Sequence, residues 1–121
     1  MIQKRQINVP IFNHALTLMT GRLEEVLKYL SGIHHKDLNG IRSMTNALAL
    51  CILVNNEIYI WWEKDVQIPA LGHEVCHAVF AIMDSRGIHV DDQEVFCYLW
   101  QYIMEQILCT LPEQMGVINH Q

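Results

Sequence analysis

No C-x-x-C pair occurs among the four cysteines, Cys51, Cys76, Cys97 and Cys109, so the paired-thiolate zinc and redox motifs are excluded. All four lie in apolar stretches and read as buried free thiols of a reducing compartment. No long hydrophobic run is present either. The longest, 47–54, falls far short of the roughly 20 residues a membrane-spanning helix needs, so no membrane association is expected. Residues 1–10 lack the apolar core of a signal peptide, and the expected location is cytoplasmic. Basic residues are few: 8 Lys and Arg stand against 13 Asp and Glu, for a net charge of −5. Lys4-Arg5 is the sole basic cluster, so a nucleic-acid-binding surface is not expected. Low-complexity tracts and internal repeats are absent.

What remains is a chain of 121 residues with 51% apolar content, long enough to bury one core without disulfides. It reads as a single domain over 1–121. Residues 7–18 alternate loosely around Pro10 and predict one or two short edge strands. Leu23, Val26, Leu27 and Leu30 share a face of a helix over 21–30, which Ser31-Gly32 should end. The apolar run 47–54, then Asn55-Asn56, then the alternation of Ile58, Ile60 and Trp62 predict a tight hairpin, because Asn tolerates left-handed backbone. Tyr59, Trp61 and Glu63 would face the other way, either under a helix or as the wall of a substrate groove. Pro69 suits the first turn of a long helix over 67–85 that stops at Gly87. A short linker leads to a last helix, capped by Asp91 or Asp92 and running to about Cys109. Phe96, Leu99, Ile103, Ile107 and Leu108 form its apolar stripe. Pro112 and Gly116 mark an irregular tail.

The long helix carries the chemistry. His73-Glu74-Val75-Cys76-His77 reads H-E-x-x-H. Residues four apart stack on one helical face, so His73 and His77 can reach a single metal ion. Glu74 lies one step round, placed to accept a proton from a water that the metal activates. Leu71, Val75, Ala78 and Ile82 form a core stripe at helical spacing, and the histidines fall on a neighbouring face beside Ala70 and Ala81. This context favours a metal site over two solvated histidines.

Catalytic zinc normally takes a third protein ligand. Phe80 and Met83 occupy the places where metzincins carry a glycine and a third histidine, so that subclass is excluded. Glu94, in the first turn of the next helix, is the leading candidate. Its competing role is to complement the positive helix N-terminus. Cys97 would give a His2Cys set, His89 lies in the linker, and Asp91 and Asp92 are better suited as caps. Asp84 is two turns from His77 and could at most orient a neighbour. Tyr98 and Tyr102 are candidate oxyanion donors.

The motif, followed by a glutamate on the next helix, resembles a minimal zincin of the gluzincin type. The resemblance spans roughly 47–109. Its compact form is similar to small metallopeptidase-like proteins encoded by phages and prophages. It implies an α+β, zincin-like domain with antiparallel strands packed on about three helices and H-E-x-x-H on the central one. It further implies zinc held by His73, His77 and Glu94, Glu74 as general base, and a peptide or protein substrate bound along an edge strand matching 58–63. Two departures bear on activity. The third-ligand helix reads Gln93-Glu94-Val95 where larger gluzincins carry N-E-x-x-x-D, and no second domain walls a cleft. The alternative expectation is therefore a zincin-fold binding or assembly protein that holds zinc without chemistry, as part of a larger assembly.

Overall fold

The computed structural model describes residues 2–114, the last four by backbone alone. Two strands, β1 (Gln3–Val9) and β2 (His14–Thr20), open the chain as a hairpin. Helix α1 (Leu23–His34) follows, then a 3-10 turn (Asn39–Met44). A second hairpin, β3 (Ala49–Val54) and β4 (Glu57–Trp62), precedes α2 (Ile68–Ser85) and α3 (Gln93–Gln114).

The four strands form one sheet in the order β1-β2-β4-β3. Both hairpins are antiparallel, but β2 and β4 run parallel. The sheet is thus mixed, not wholly antiparallel as the sequence suggested. The connection through α1 and the 3-10 turn carries the chain over one sheet face from β2 to the outer strand β3, and the β3–β4 hairpin then folds β4 back into the gap beside β2, where it runs parallel to it. The α+β class holds.

Alternation along the strands divides the core in two. Ile58, Ile60 and Trp62 of β4 join Leu71, Val75, Ala78, Val79 and Ile82 of α2 and Leu99, Ile103 and Ile107 of α3. Tyr59 and Trp61 face the other side, beneath Leu23, Val26, Leu27 and Leu30 of α1. Those two rings are therefore covered by a helix and wall no groove. The arrangement is three layers, with α2 and α3 on one face and α1 on the other.

Local chemistry explains the joints. Asn55 and Asn56 both take positive φ, 50° and 66°, the backbone a two-residue hairpin requires. Gly87 (φ 66°) ends α2 as expected. The Asp92 side chain accepts from the Val95 amide at 3.2 Å, so of the two candidate caps Asp92 is the one used. Helix α1 runs past Ser31-Gly32 and stops at His35, whose left-handed backbone (φ 54°) caps it. Helix α3 continues beyond Cys109 to Gln114, passing Pro112. Gly116 lies outside the described residues. Cys97 and Cys109 fall off the buried stripe and are exposed, unlike the partly buried Cys51 and Cys76. No described helix is long and apolar enough to cross a membrane.

Candidate metal centre

The apolar stripe of α2 presses against the sheet, which turns the opposite face of the helix to solvent. Leu71, Val75, Ala78 and Ile82 are all fully buried. His73 and His77 point outward, and 70% of the His73 side chain is exposed. Between core and solvent, Glu74 leans toward the sheet edge with 15% of its side chain exposed.

The two imidazoles converge. Their Nε2 atoms are 3.3 Å apart and the rings meet edge to face at 4.9 Å between centroids. Two nitrogens bound to one tetrahedral zinc at the usual bond length would lie about 3.3 Å apart. The pair is therefore spaced as a shared metal requires. His73, Glu74 and His77 each offer a donor atom within 4.8 Å of the others. The His73 Nε2 to Glu74 Oε2 separation, 3.8 Å, is longer than that ligand-to-ligand spacing and sets the carboxylate beside the pair.

Glu74 has a second contact. Its Oε1 accepts a 2.8 Å hydrogen bond from the backbone N–H of Cys51. Cys51 lies on β3, the outer strand of the sheet, and its amide is one that β4 does not use. The strand beside the motif helix is thus β3. The segment 58–63, matched to an edge strand by the resemblance, is mostly β4 and lies inside the sheet between β2 and β3. Burial, and then the negative charge of Glu74, push the Cys51 thiol up to about 12. It stays protonated at neutral pH and is a poor metal ligand.

Glu94 is not in the cluster. It is exposed in the first turn of α3, and the packing of α2 on α3 explains its position. The Trp100 indole covers Gly72 and donates to the Gly72 carbonyl at 3.2 Å, while Phe96 meets Phe80 at 5.3 Å between ring centroids. These two contacts set Glu94 between the levels of Ala78 and Ile82, past His77 along α2, and its donor atoms are not among those that gather at the histidines. Cys97 comes closer to the level of His77 and is exposed. His89 and Asp91 pair with each other at 3.3 Å in the linker. Tyr102 donates to the Asn8 carbonyl and Tyr98 stacks near Phe12, so both are engaged with the β1–β2 hairpin rather than with the histidines. The Glu74–Cys51 contact was missed from sequence; the motif names Glu74, but no local signal names its partner on a strand.

No protein-family model, curated protein or solved structure matches this chain.

Proposed function

We propose that the chain is a zinc-dependent metallopeptidase of minimal zincin type, with His73 and His77 holding the ion and Glu74 as the general base. The observation that supports it is the 3.3 Å convergence of two solvent-facing imidazole Nε2 atoms with a carboxylate alongside. Zinc bound there would supply an activated water nucleophile and a positive charge for the developing oxyanion. The remaining work falls to the chain. Glu74 Oε1 is occupied by the Cys51 amide, which fixes the carboxylate, and Oε2 is left to accept the proton of the attacking water. The same oxygen then returns it to the departing amine of the peptide. Glu94 completes a three-ligand set in this proposal only if the first turn of α3 moves toward His77. The open edge of β3, beside Glu74, takes the place first given to 58–63 as the strand along which an extended peptide would lie.

A second reading is favoured by the Cys51 contact itself. An acidic side chain on an open strand edge is a known guard against unwanted pairing, so Glu74 has a structural use that needs no catalysis. On this reading the domain is a binding or assembly protein with a bound zinc.

The deciding experiment measures metal content of the purified protein, then compares wild type with Glu74→Gln on a library of extended peptides. Bound zinc with cleavage that Glu74→Gln abolishes supports the peptidase. Zinc without cleavage by either protein favours the binding module, and absence of any first-row metal after metal-replete expression overturns both.

A further inference from the structure

Two imidazoles fill only half of the four-coordinate shell that zinc takes. Among the described residues, the groups gathered at the pair end with Glu74. One oxygen of that carboxylate is tied to the Cys51 amide, and Glu94 stands exposed at another level of α2. The Nε2 atoms of His73 and His77, 3.3 Å apart on exposed side chains, are therefore a half-site that is open on its outer side.

The surface around this half-site is unlike an ordinary solvated helix face, which carries charged and polar residues. From 67 to 83 the one charged residue is Glu74, and it leans toward the sheet. Pro69 and Ala70 are exposed one turn before the histidines. Phe80 is exposed one turn after them, and Ala81 beside it is half-buried. Neither α3 nor β3 covers this stripe. An exposed apolar surface on both sides of a metal half-site marks a contact surface.

A second copy of this chain fits both features. When two α2 helices lie antiparallel about a twofold axis at the level of Val75, residue levels mirror across it. His73 of one copy comes level with His77 of the other, so the two pairs meet on the axis and offer four imidazole nitrogens to one ion. Ala70 comes level with Phe80, a small side chain opposite a large one, on each side of the metal. A twofold contact must be self-complementary, and this stripe meets that condition without setting like charges against each other. We propose that one zinc joins two copies of the chain, each contributing His73 and His77, with Ala70 and Phe80 packed across the twofold axis on either side. The bridge rests on the zinc site proposed above and regulates it. Four imidazoles complete the tetrahedron and exclude the water that a catalytic zinc must keep. The bridged dimer is the closed form of the site, and the chain with an ion of its own is the open form.

The test is sedimentation velocity of the full chain, stripped of metal by a chelator and titrated with zinc chloride, with bound zinc measured in parallel. The metal-free chain should be monomeric. Half an equivalent of zinc should give dimers, and a large excess should return monomers as each histidine pair takes its own ion. His73→Ala and His77→Ala should each give no zinc-dependent dimer. Ala70→Lys sets an unpartnered charge in the apolar contact, so it should weaken dimerisation about ten-fold or more. It should still bind one zinc per chain at excess metal, because Ala70 is exposed and outside the half-site. Should a variant misfold, the wild-type titration decides alone. A chain that binds zinc at half an equivalent and stays monomeric overturns the bridge and leaves the metal site standing. A chain that binds no zinc overturns both. A dimer that persists in chelator, or in both histidine variants, overturns the bridge as well.

Discussion

The Glu74 carboxylate is bonded to the backbone amide of Cys51 at 2.8 Å, so the residue that the motif assigns to proton transfer also fastens α2 to the open edge of the sheet. One oxygen is held and the other is left facing the histidine pair. The same bond gives Glu74 a role in the fold, and every test of the site must keep the two roles apart.

The histidine pair should bind one zinc per chain. Removing either imidazole by His73→Ala or His77→Ala leaves a single nitrogen donor and should abolish stoichiometric zinc, measured by elemental analysis and by titration against a chromogenic chelator. Both substitutions sit on the solvent face, so thermal stability without metal should change by less than about 0.5 kcal/mol. Protons compete with metal for imidazole, so zinc affinity should fall in acid. Retention of zinc in both single variants would place the metal elsewhere.

The α2–α3 register predicts that Glu94→Ala leaves zinc affinity within about two-fold of wild type and costs only a few tenths of a kcal/mol, the worth of an acidic side chain in a helix first turn. Cys97→Ala is the matched control, because Cys97 is exposed and nearer the level of His77. A large loss of affinity in Glu94→Ala would show that the first turn of α3 closes on the histidines and would restore the His2Glu set. A large loss in Cys97→Ala would make it His2Cys.

Tyr59 gives a pH signature independent of the metal. Burial first, then the hydrogen bond it donates to Glu57 (3.0 Å) and that carboxylate's charge, raise its phenol above the ordinary tyrosine range. A raised phenol is kept neutral by the fold. Its contribution to stability is therefore complete below the unfolded-state value near 10 and is lost as pH climbs from there through the folded-state value. The wild-type melting temperature should fall over that alkaline interval, and the fall should be shallower in Tyr59→Phe. Equal slopes for the two proteins would show that Tyr59 ionises freely. At neutral pH the variant should cost about 1 kcal/mol, since it breaks the bonds to Glu57 and to His34 Nε2 (2.6 Å).

Much of this fold is written in short-range pattern. The stripe Leu71, Val75, Ala78 and Ile82 has helical period, and all four residues are buried. Asn55-Asn56 between two apolar runs specifies a hairpin, and both residues take the left-handed backbone it needs. The convergence of His73 and His77 follows from i, i+4 spacing alone. What could not be read are relationships between elements. The alternation of Ile58, Ile60 and Trp62 looks the same in an edge strand as in an interior one. Its place inside the sheet depends on the connection through α1, which delivers the chain to the outer strand β3 so that β4 folds back against β2. Likewise, Asp92 fixes where α3 begins, but nothing near Glu94 fixes how far α3 slides along α2. The fit of Trp100 over Gly72 and of Phe96 on Phe80 sets that offset, and it is long-range packing.

The two roles of Glu74 separate cleanly in a pair of variants. Glu74→Gln keeps a carbonyl oxygen where Oε1 stands, so it can still accept from the Cys51 amide, but it removes the base. Glu74→Ala removes both. Thermal stability should therefore be nearly unchanged in Glu74→Gln and lower by about 1 kcal/mol in Glu74→Ala, the net worth of one hydrogen bond. Zinc should remain bound in both, since Glu74 stands beside the histidine pair. Peptide cleavage should fall in both by about 10²–10⁴, the usual contribution of a positioned general base. If instead Glu74→Gln matches wild type in every assay while Glu74→Ala is destabilised and prone to associate through the uncovered edge of β3, then Glu74 is an edge guard. The peptidase reading would then give way to the binding module.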